Sequence, residues 1–248
     1  MTPSTRPVAL VNDGSFYVGP HIARALAHKG FNLVVGDPAD ALVDDLRGRG
    51  VDVAVVEGVR DLTRSESAVA LVDAAMSSFG RLDSAEMFSG RIVTGRFLNS
   101  TIDDLHAVTS GCIDAPYNFL KAVLPPMVEA GVGQVLVITS ASAARPTPGA
   151  PLYSAARAGA TMLVKNVALE MARHNVQLNA VGTNFMDFPE FLKASGATDP
   201  EVRKKIESQV PLGRLGTLDE FASFCMPYLD GTSRFATGQF VAFAGGWA

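Results

Sequence analysis

Residues 8–36 read VALVNDGSFYVGPHIARALAHKGFNLVVG. Val8 to Val11 is a short apolar run without helical period, and the polar turn Asn12-Asp13-Gly14 ends it. From Val18 to Lys29 the apolar residues Ile22, Ala25 and Leu26 recur at three- and four-residue spacing, until Gly30 stops the helix. Phe31 to Val35 is a second buried-looking strand, closed by Gly36-Asp37-Pro38. Strand, amphipathic helix and strand in one stretch make a βαβ unit, whose two strands run parallel.

Outward from this unit the same alternation continues. A helix through Leu42 and Leu46 precedes a strand over Val51–Val56, and a helix over Ser65–Phe79 precedes a strand over Leu82–Met87. A long helix follows over Ile102–Met127, then a strand over Gln134–Ile138, a helix over Ala150–His174 and a strand over Val176–Val181. Phe185–Ala197 reads as looser chain, followed by two short helices and a last strand over Gln239–Phe243. The pattern is that of an α/β chain, a single Rossmann-like doubly wound parallel sheet with helices on both faces. No internal repeat or linker interrupts it, so residues 1–248 read as one domain.

Composition excludes several function classes. The chain has 21 Lys and Arg against 25 Asp and Glu, a net charge of −4, and a pI near 5.6. With its basic residues scattered, it is not read as a partner of nucleic acid or of an anionic membrane. Two cysteines, Cys112 and Cys225, are too few for a disulfide framework or a zinc site. His21, His28, His106 and His174 sit at unrelated spacings on expected helices, and none forms a metal-ligand pattern. No apolar run is long enough to span a bilayer, so a soluble cytoplasmic protein is expected.

In a doubly wound sheet, ligands bind beyond the C-terminal ends of the strands. The loops to examine are therefore Asn12–Gly19, Thr139–Arg157 and Gly182–Phe191. The first is a poor phosphate cradle. A pyrophosphate needs glycines where the backbone must come close, and only Gly14 and Gly19 remain, with Asp13 and Tyr17 between or beside them. A carboxylate repels phosphate, and a phenol ring fills space. Asp37, at the end of the second strand, stands where a ribose-binding acid would stand and reads as a relic; it serves equally as a helix N-terminal residue.

The second loop carries the chemistry. Ser140 follows the strand, Tyr153 comes thirteen residues later near a helix start, and Arg157 lies four residues on, along the same helix face. A phenol with a reference pKa of about 10 is a poor base near neutrality. A neighbouring guanidinium makes it easier to ionise without giving up its own proton. Ser140 can then hold an oxygen that Tyr153 deprotonates. For each residue alone a packing or capping role is the simpler reading; for the three at these spacings, an alcohol-deprotonating site is.

With these residues in place, the chain resembles the short-chain dehydrogenase/reductase superfamily over nearly its whole length. The likeness includes Leu82-Asp83, Ser140, Tyr153, Pro211-Leu212-Gly213-Arg214 and Gly245-Gly246-Trp247. Three departures stand out. Arg157 replaces the lysine of Tyr-x-x-x-Lys, Met87-Phe88-Ser89-Gly90 replaces Asn-Asn-Ala-Gly, and Cys112 stands at the asparagine position of the long helix.

The departures resemble one branch, the halohydrin dehalogenases. Its Ser-x12-Tyr-x3-Arg motif matches Ser140, Tyr153 and Arg157; its Thr-x4-(Phe/Tyr)-x-Gly motif matches Tyr17 and Gly19, with Asn12 in place of threonine. The resemblance implies a lyase without cofactor. Tyr153 removes the hydroxyl proton of a vicinal halohydrin, Arg157 assists its ionisation, Ser140 holds the oxygen, and the alkoxide displaces halide to give an epoxide. In reverse, azide, cyanide, nitrite or halide opens the epoxide. The resemblance also implies a halide pocket of Tyr17, Phe88, Asn184, Phe185 and Met186, the last two through backbone N–H groups. It implies a homotetramer joined through the helices near Ile102–Met127 and Ala150–His174. Two alternatives stay open: a divergent NAD(P)-dependent oxidoreductase, and a catalytically dead binding module of the same fold.

Overall fold

The structure is a computed structural model and describes residues 3–88 and 90–248. In chain order the elements are β1 (Val8–Val11), α1 (Gly19–His28), β2 (Asn32–Gly36), α2 (Asp40–Gly48), β3 (Val53–Val56), α3 (Ser65–Phe79) and β4 (Ser84–Phe88). Then come α4 (Ile102–Thr109), α5 (Ala115–Ala130), β5 (Gly133–Ser140), α6 (Pro151–Met171), β6 (Val176–Thr183), β7 (Met186–Asp187) and α7 (Pro189–Ser195). The chain ends with α8 (Pro200–Glu207), β8 (Gly216–Thr217), α9 (Leu218–Cys225) and β9 (Phe240–Phe243).

Seven parallel strands form one sheet in the order β3-β2-β1-β4-β5-β6-β9. The doubly wound α/β architecture expected from the alternation is the one observed. Successive side chains on each strand leave by opposite faces, and both faces are covered. Val8, Leu10, Val135 and Val137 pack with side chains of α3, α5 and α6, whereas Ala9, Val11, Leu136 and Ile138 pack with those of α1, α2 and α9. Each fully buried valine or leucine of this kind contributes about 2 kcal/mol. Burial on both faces explains why the strands read as unbroken apolar runs. Strand order turns at β1, which has β2 on one side and β4 on the other. The crevice at such a turn opens at the C-terminal ends of β1 and β4.

Three local expectations need correction. The helix expected over Ile102–Met127 is divided by a wide π-helical turn, Ser110–Asp114, in which the Ala115 N–H reaches the Ser110 carbonyl. Pro116 gives the reason. It has no N–H to offer the carbonyl of Cys112, and its ring would crowd that carbonyl in a regular helix. Ser140 is the last residue of β5 rather than the first beyond it, because β5 pairs with β6 through Ser140 and Thr183. Phe185–Ala197, expected as loose chain, contains β7 and α7. Strand β7 pairs with the distant β8 and α7 is one short helix opened by Pro189, so neither has enough residues for a readable period.

Candidate active site

The β1–α1 loop is held by its own side chains. Asn12 bridges the ends of β1 and β4: its amide donates to the Phe88 carbonyl at 3.2 Å, and the Phe88 N–H donates to its Oδ1 at 2.7 Å. The amide in place of threonine thus makes two hydrogen bonds. Asp13 accepts from the N–H and hydroxyl of Ser15, each at 3.0 Å, and pairs with Arg60 Nε at 2.8 Å. The two remaining glycines stand where the chain itself comes close. A Cβ on Gly14 would lie 2.3 Å from Val35 Cγ1, and one on Gly19 would lie 1.8 Å from the Asp13 carbonyl oxygen. Asp37 accepts from the N–H groups of Gly58 and Val59 at 2.6 and 2.9 Å. Its carboxylate closes the β3–α3 loop.

Tyr17 has a left-handed backbone (φ 50°), uncommon for a bulky residue. Its ring packs 4.8 Å from Phe88 and 4.8 Å from Phe188, and its buried hydroxyl donates to Thr183 Oγ1 at 2.9 Å. Burial pushes the Tyr17 phenol well above its ordinary pKa, and the Thr183 bond only partly opposes this. It is a neutral O–H donor in an aromatic box. Tyr153 and Arg157 are near enough to act electrostatically on the same hydroxyl.

Helix α6 begins at Pro151, which suits a first helical position. That sets Tyr153 in the first turn and Arg157 one turn later. Arg157 Nε donates to the Tyr153 hydroxyl oxygen at 3.1 Å, with the guanidinium carbon 5.2 Å from the ring centroid. Arg157 is only 1% exposed, and among the described residues its Nη1 has no hydrogen-bond partner. Among the described residues no carboxylate forms an ion pair with it. The guanidinium lies against Gly90 (φ 144°), where a Cβ would come within 2.0 Å of Nη2. A buried cation without a counter-charge is costly.

Ser140 stands at the end of β5, where its hydroxyl donates to the Thr183 carbonyl at 3.4 Å. It accepts from the Ser142 N–H at 3.2 Å and the Ser142 hydroxyl at 2.9 Å. Thr183 therefore joins the Ser140 side of the site to the Tyr17 side. The next residue, Asn184, has a buried Nδ2 with no partner among the described residues.

Of the residues expected in a halide pocket, Tyr17 and Phe88 are brought together and Asn184 follows Thr183. The Phe185 side chain belongs to another wall, whereas Met186 is buried in the same core cluster as Tyr17. Phe185 meets Phe191 and Trp247 at about 6 Å, and Met186 lies against Gly216, both lining a separate cavity of about 230 Å³. Trp247 is held there by Arg145, whose guanidinium carbon is 4.6 Å from its ring centroid. Cys112 is buried in the π-helical turn, and Ser89 lies outside the described residues. A larger cavity of about 590 Å³ opens beside Gly90, lined by Asp13, Phe16, Arg60, Phe88, Arg91 and His106 among others. Sequence reasoning missed Ser142, Thr183, Phe188 and Arg60. Ser142 alone had a local signal, two residues beyond Ser140.

Residues 17–248 match a family model described as Enoyl-(Acyl carrier protein) reductase. The chain belongs to the short-chain dehydrogenase/reductase superfamily. Among its relatives is the 2,5-dichloro-2,5-cyclohexadiene-1,4-diol dehydrogenase LinX of Sphingobium indicum. It is 27% identical over 245 residues, covering 97% of this chain and 96% of the relative. Oxidoreductase UcpA of Salmonella typhimurium is 30% identical over 250 residues, covering 94% of each chain. The solved acetoin dehydrogenase of Enterobacter cloacae is 26% identical with a TM-score of 0.85, covering 98% of this chain and 96% of that one. All three are named as oxidoreductases, and none of them as a dehalogenase.

This member of the superfamily does not offer a dinucleotide the usual residues. Its first loop keeps only Gly14 and Gly19, and Asp13 and Asp37 are engaged with the protein. Arg157, buried beneath Gly90, replaces the lysine. Among the described residues no helix is long and apolar enough to cross a membrane, and no acidic, histidine or cysteine cluster could hold a metal ion.

Proposed function

We propose that the chain is a halohydrin dehalogenase, a carbon–halide lyase working without a nucleotide. The observation that carries this reading is the buried Arg157, hydrogen-bonded to Tyr153 at the lysine position, beside a first loop that carries Asp13 and the packed ring of Tyr17. In this reading Tyr153 takes the proton of a vicinal halohydrin, and the hydrogen bond from Arg157 stabilises the phenol oxygen as base. Ser140 donates to the substrate oxygen. The alkoxide forms a C–O bond to the adjacent carbon as the carbon–halogen bond breaks, and the electron pair leaves with the halide. Run backwards, a small anion opens the epoxide and Tyr153 returns the proton.

Tyr17, Phe88 and Asn184 are the groups assigned to the halide, with backbone N–H groups of Phe185 and Met186. The unpartnered Asn184 Nδ2 is a donor that a weakly hydrated anion can satisfy, and the neutral Tyr17 hydroxyl would turn to the anion by giving up its bond to Thr183 Oγ1. The Sphingobium indicum relative is named for a chlorinated alcohol, which is in keeping with a halogenated substrate.

A second reading, an NAD(P)-dependent oxidoreductase of divergent loop sequence, is favoured by the names of the relatives. One assay separates the two. Dialysed protein is given 1,3-dichloro-2-propanol without nucleotide, and halide release is followed for the wild type and Tyr153→Phe. Release that is lost in the variant supports the dehalogenase. No release from the wild type, together with NADH or NADPH quenching the single tryptophan, Trp247, supports the oxidoreductase.

The chain also leaves Tyr117 on α5 and Met162 and Leu169 on α6 exposed, beside a groove lined by Leu120, Leu124 and Leu163. We assign these faces to further copies of the chain in a homotetramer, with a mass measurement by light scattering as the check. A cytoplasmic location and small-molecule partners complete the proposal.

A further inference from the structure

We propose that Ser142 is a positioning residue that fixes Ser140 as a hydrogen-bond donor and so leaves Tyr153 as the acceptor of the substrate's proton. The inference rests on Tyr153 being the base. It holds whether the resulting alkoxide displaces halide or gives up hydride.

A serine hydroxyl has one proton and two lone pairs. Ser140 makes three contacts, and two of them have a direction that chemistry dictates. The Thr183 carbonyl can only accept, so the Ser140 proton points to it at 3.4 Å. The Ser142 N–H can only donate, so it occupies one Ser140 lone pair at 3.2 Å. With the Ser140 proton committed, the 2.9 Å contact between the hydroxyls must run from Ser142 to Ser140, and the second lone pair is filled. All three residues are 8% exposed, so little water competes. Ser140 has no accepting capacity left. Its one adjustable bond is the donation to Thr183, at the long end of hydrogen-bond range and easily given up.

The consequence concerns an alcohol substrate, which brings a proton of its own. Its hydroxyl could donate to Ser140 or to the Tyr153 oxygen, and only the second is productive. With both Ser140 lone pairs taken, the substrate oxygen must receive the Ser140 proton and direct its own to Tyr153. That oxygen is already held as an acceptor by Arg157 Nε at 3.1 Å. Removing the Ser142 hydroxyl reopens a lone pair on Ser140 and permits the unproductive pose.

The test is a mutant cycle on halide release from 1,3-dichloro-2-propanol, using wild type, Ser142→Ala, Ser142→Thr, Ser140→Ala and Ser140→Ala/Ser142→Ala. Ser142→Ala is expected to lower kcat about tenfold with KM changed less than about twofold, the size expected for one hydrogen bond. Ser142→Thr, which restores a hydroxyl, is expected to recover most of the rate. In the Ser140→Ala background the Ser142→Ala change is expected to alter kcat less than about twofold, because its effect passes through Ser140. Equal losses in both backgrounds, full activity of Ser142→Ala, or no recovery with threonine would each overturn the assignment. A wild type that releases no halide but oxidises a secondary alcohol with NAD(P) overturns only the dehalogenase reading, and the same cycle is then run on that reaction. A wild type inactive in both overturns the two together.

Discussion

Glu86 lies in the middle of β4, 1% exposed, with both carboxylate oxygens buried and without hydrogen-bond partners among the described residues. Its backbone neighbours across the sheet are Val11 and Leu136, and the ionisable groups facing it are Asp13 and Cys225. Burial pushes its pKa up from 4.5 to about 8, with the Asp13 charge adding in the same direction. Below pH 4.5 the acid is protonated in the folded and unfolded chains alike and contributes no pH dependence. Between 4.5 and about 8 the unfolded chain loses this proton while the native chain keeps it, so stability falls as pH rises. The fall is about 1.4 kcal/mol per pH unit, on the order of 5 kcal/mol across the window. Above about 8 both states are ionised, and the cost is constant.

Glu86→Gln keeps the shape and removes the titration. Urea unfolding of wild type and variant from about pH 5.5 to about pH 8.5 is expected to show the variant's advantage growing by roughly 1.4 kcal/mol per unit, then levelling. Glu86→Met, which also removes the unpartnered polar atoms, is expected to be the more stable of the two variants at every pH. A difference between wild type and Glu86→Gln that does not change with pH would refute the reasoning.

Other substitutions test the site itself. Arg157→Lys replaces a fixed fork with a flexible point charge, and is expected to cut turnover about a hundredfold or more; it should not create NADH affinity by titration, because Asp13 and Tyr17 stay in the first loop. Gly90→Ala sets a methyl group 2.0 Å from Arg157 Nη2 at φ 144°. It is expected to cost about 2–4 kcal/mol in urea unfolding and to abolish turnover, and a variant as stable as wild type would contradict the packing. Tyr17→Phe keeps the ring between Phe88 and Phe188 but leaves Thr183 Oγ1 without its donor. A loss of about 1 kcal/mol in stability is expected, with weaker inhibition by added halide; unchanged halide inhibition would remove Tyr17 from the halide site.

The fold was legible in the sequence because each central strand is buried on both faces and each covering helix on one. Val135–Ile138 therefore reads as an unbroken apolar run, and Ile22, Ala25 and Leu26 as one helix stripe. Tyr153 and Arg157 were legible as a pair for a similarly local reason: an i, i+4 spacing on a helix brings side chains together wherever the helix sits. The turn at Ser110–Asp114 and the short helix α7 were not foreseen. A π-helical turn ahead of Pro116 leaves the apolar spacing almost unchanged, and α7 spans only Pro189–Ser195.

The sequence by itself determined the layers of this protein and the chemical groups at the tips of its strands. It determined which residues could act but not what each one faces. Tertiary structure decided that Asp13 pairs with Arg60, that Gly14 and Gly19 make room for the chain itself, and that Thr183 links Ser140 to Tyr17. It also turned Phe185 and Met186 toward Trp247 and Gly216. The physical reason is range. Helical and strand periods are set by neighbours a few residues away, whereas each of these contacts joins loops brought together only when the parallel sheet has formed.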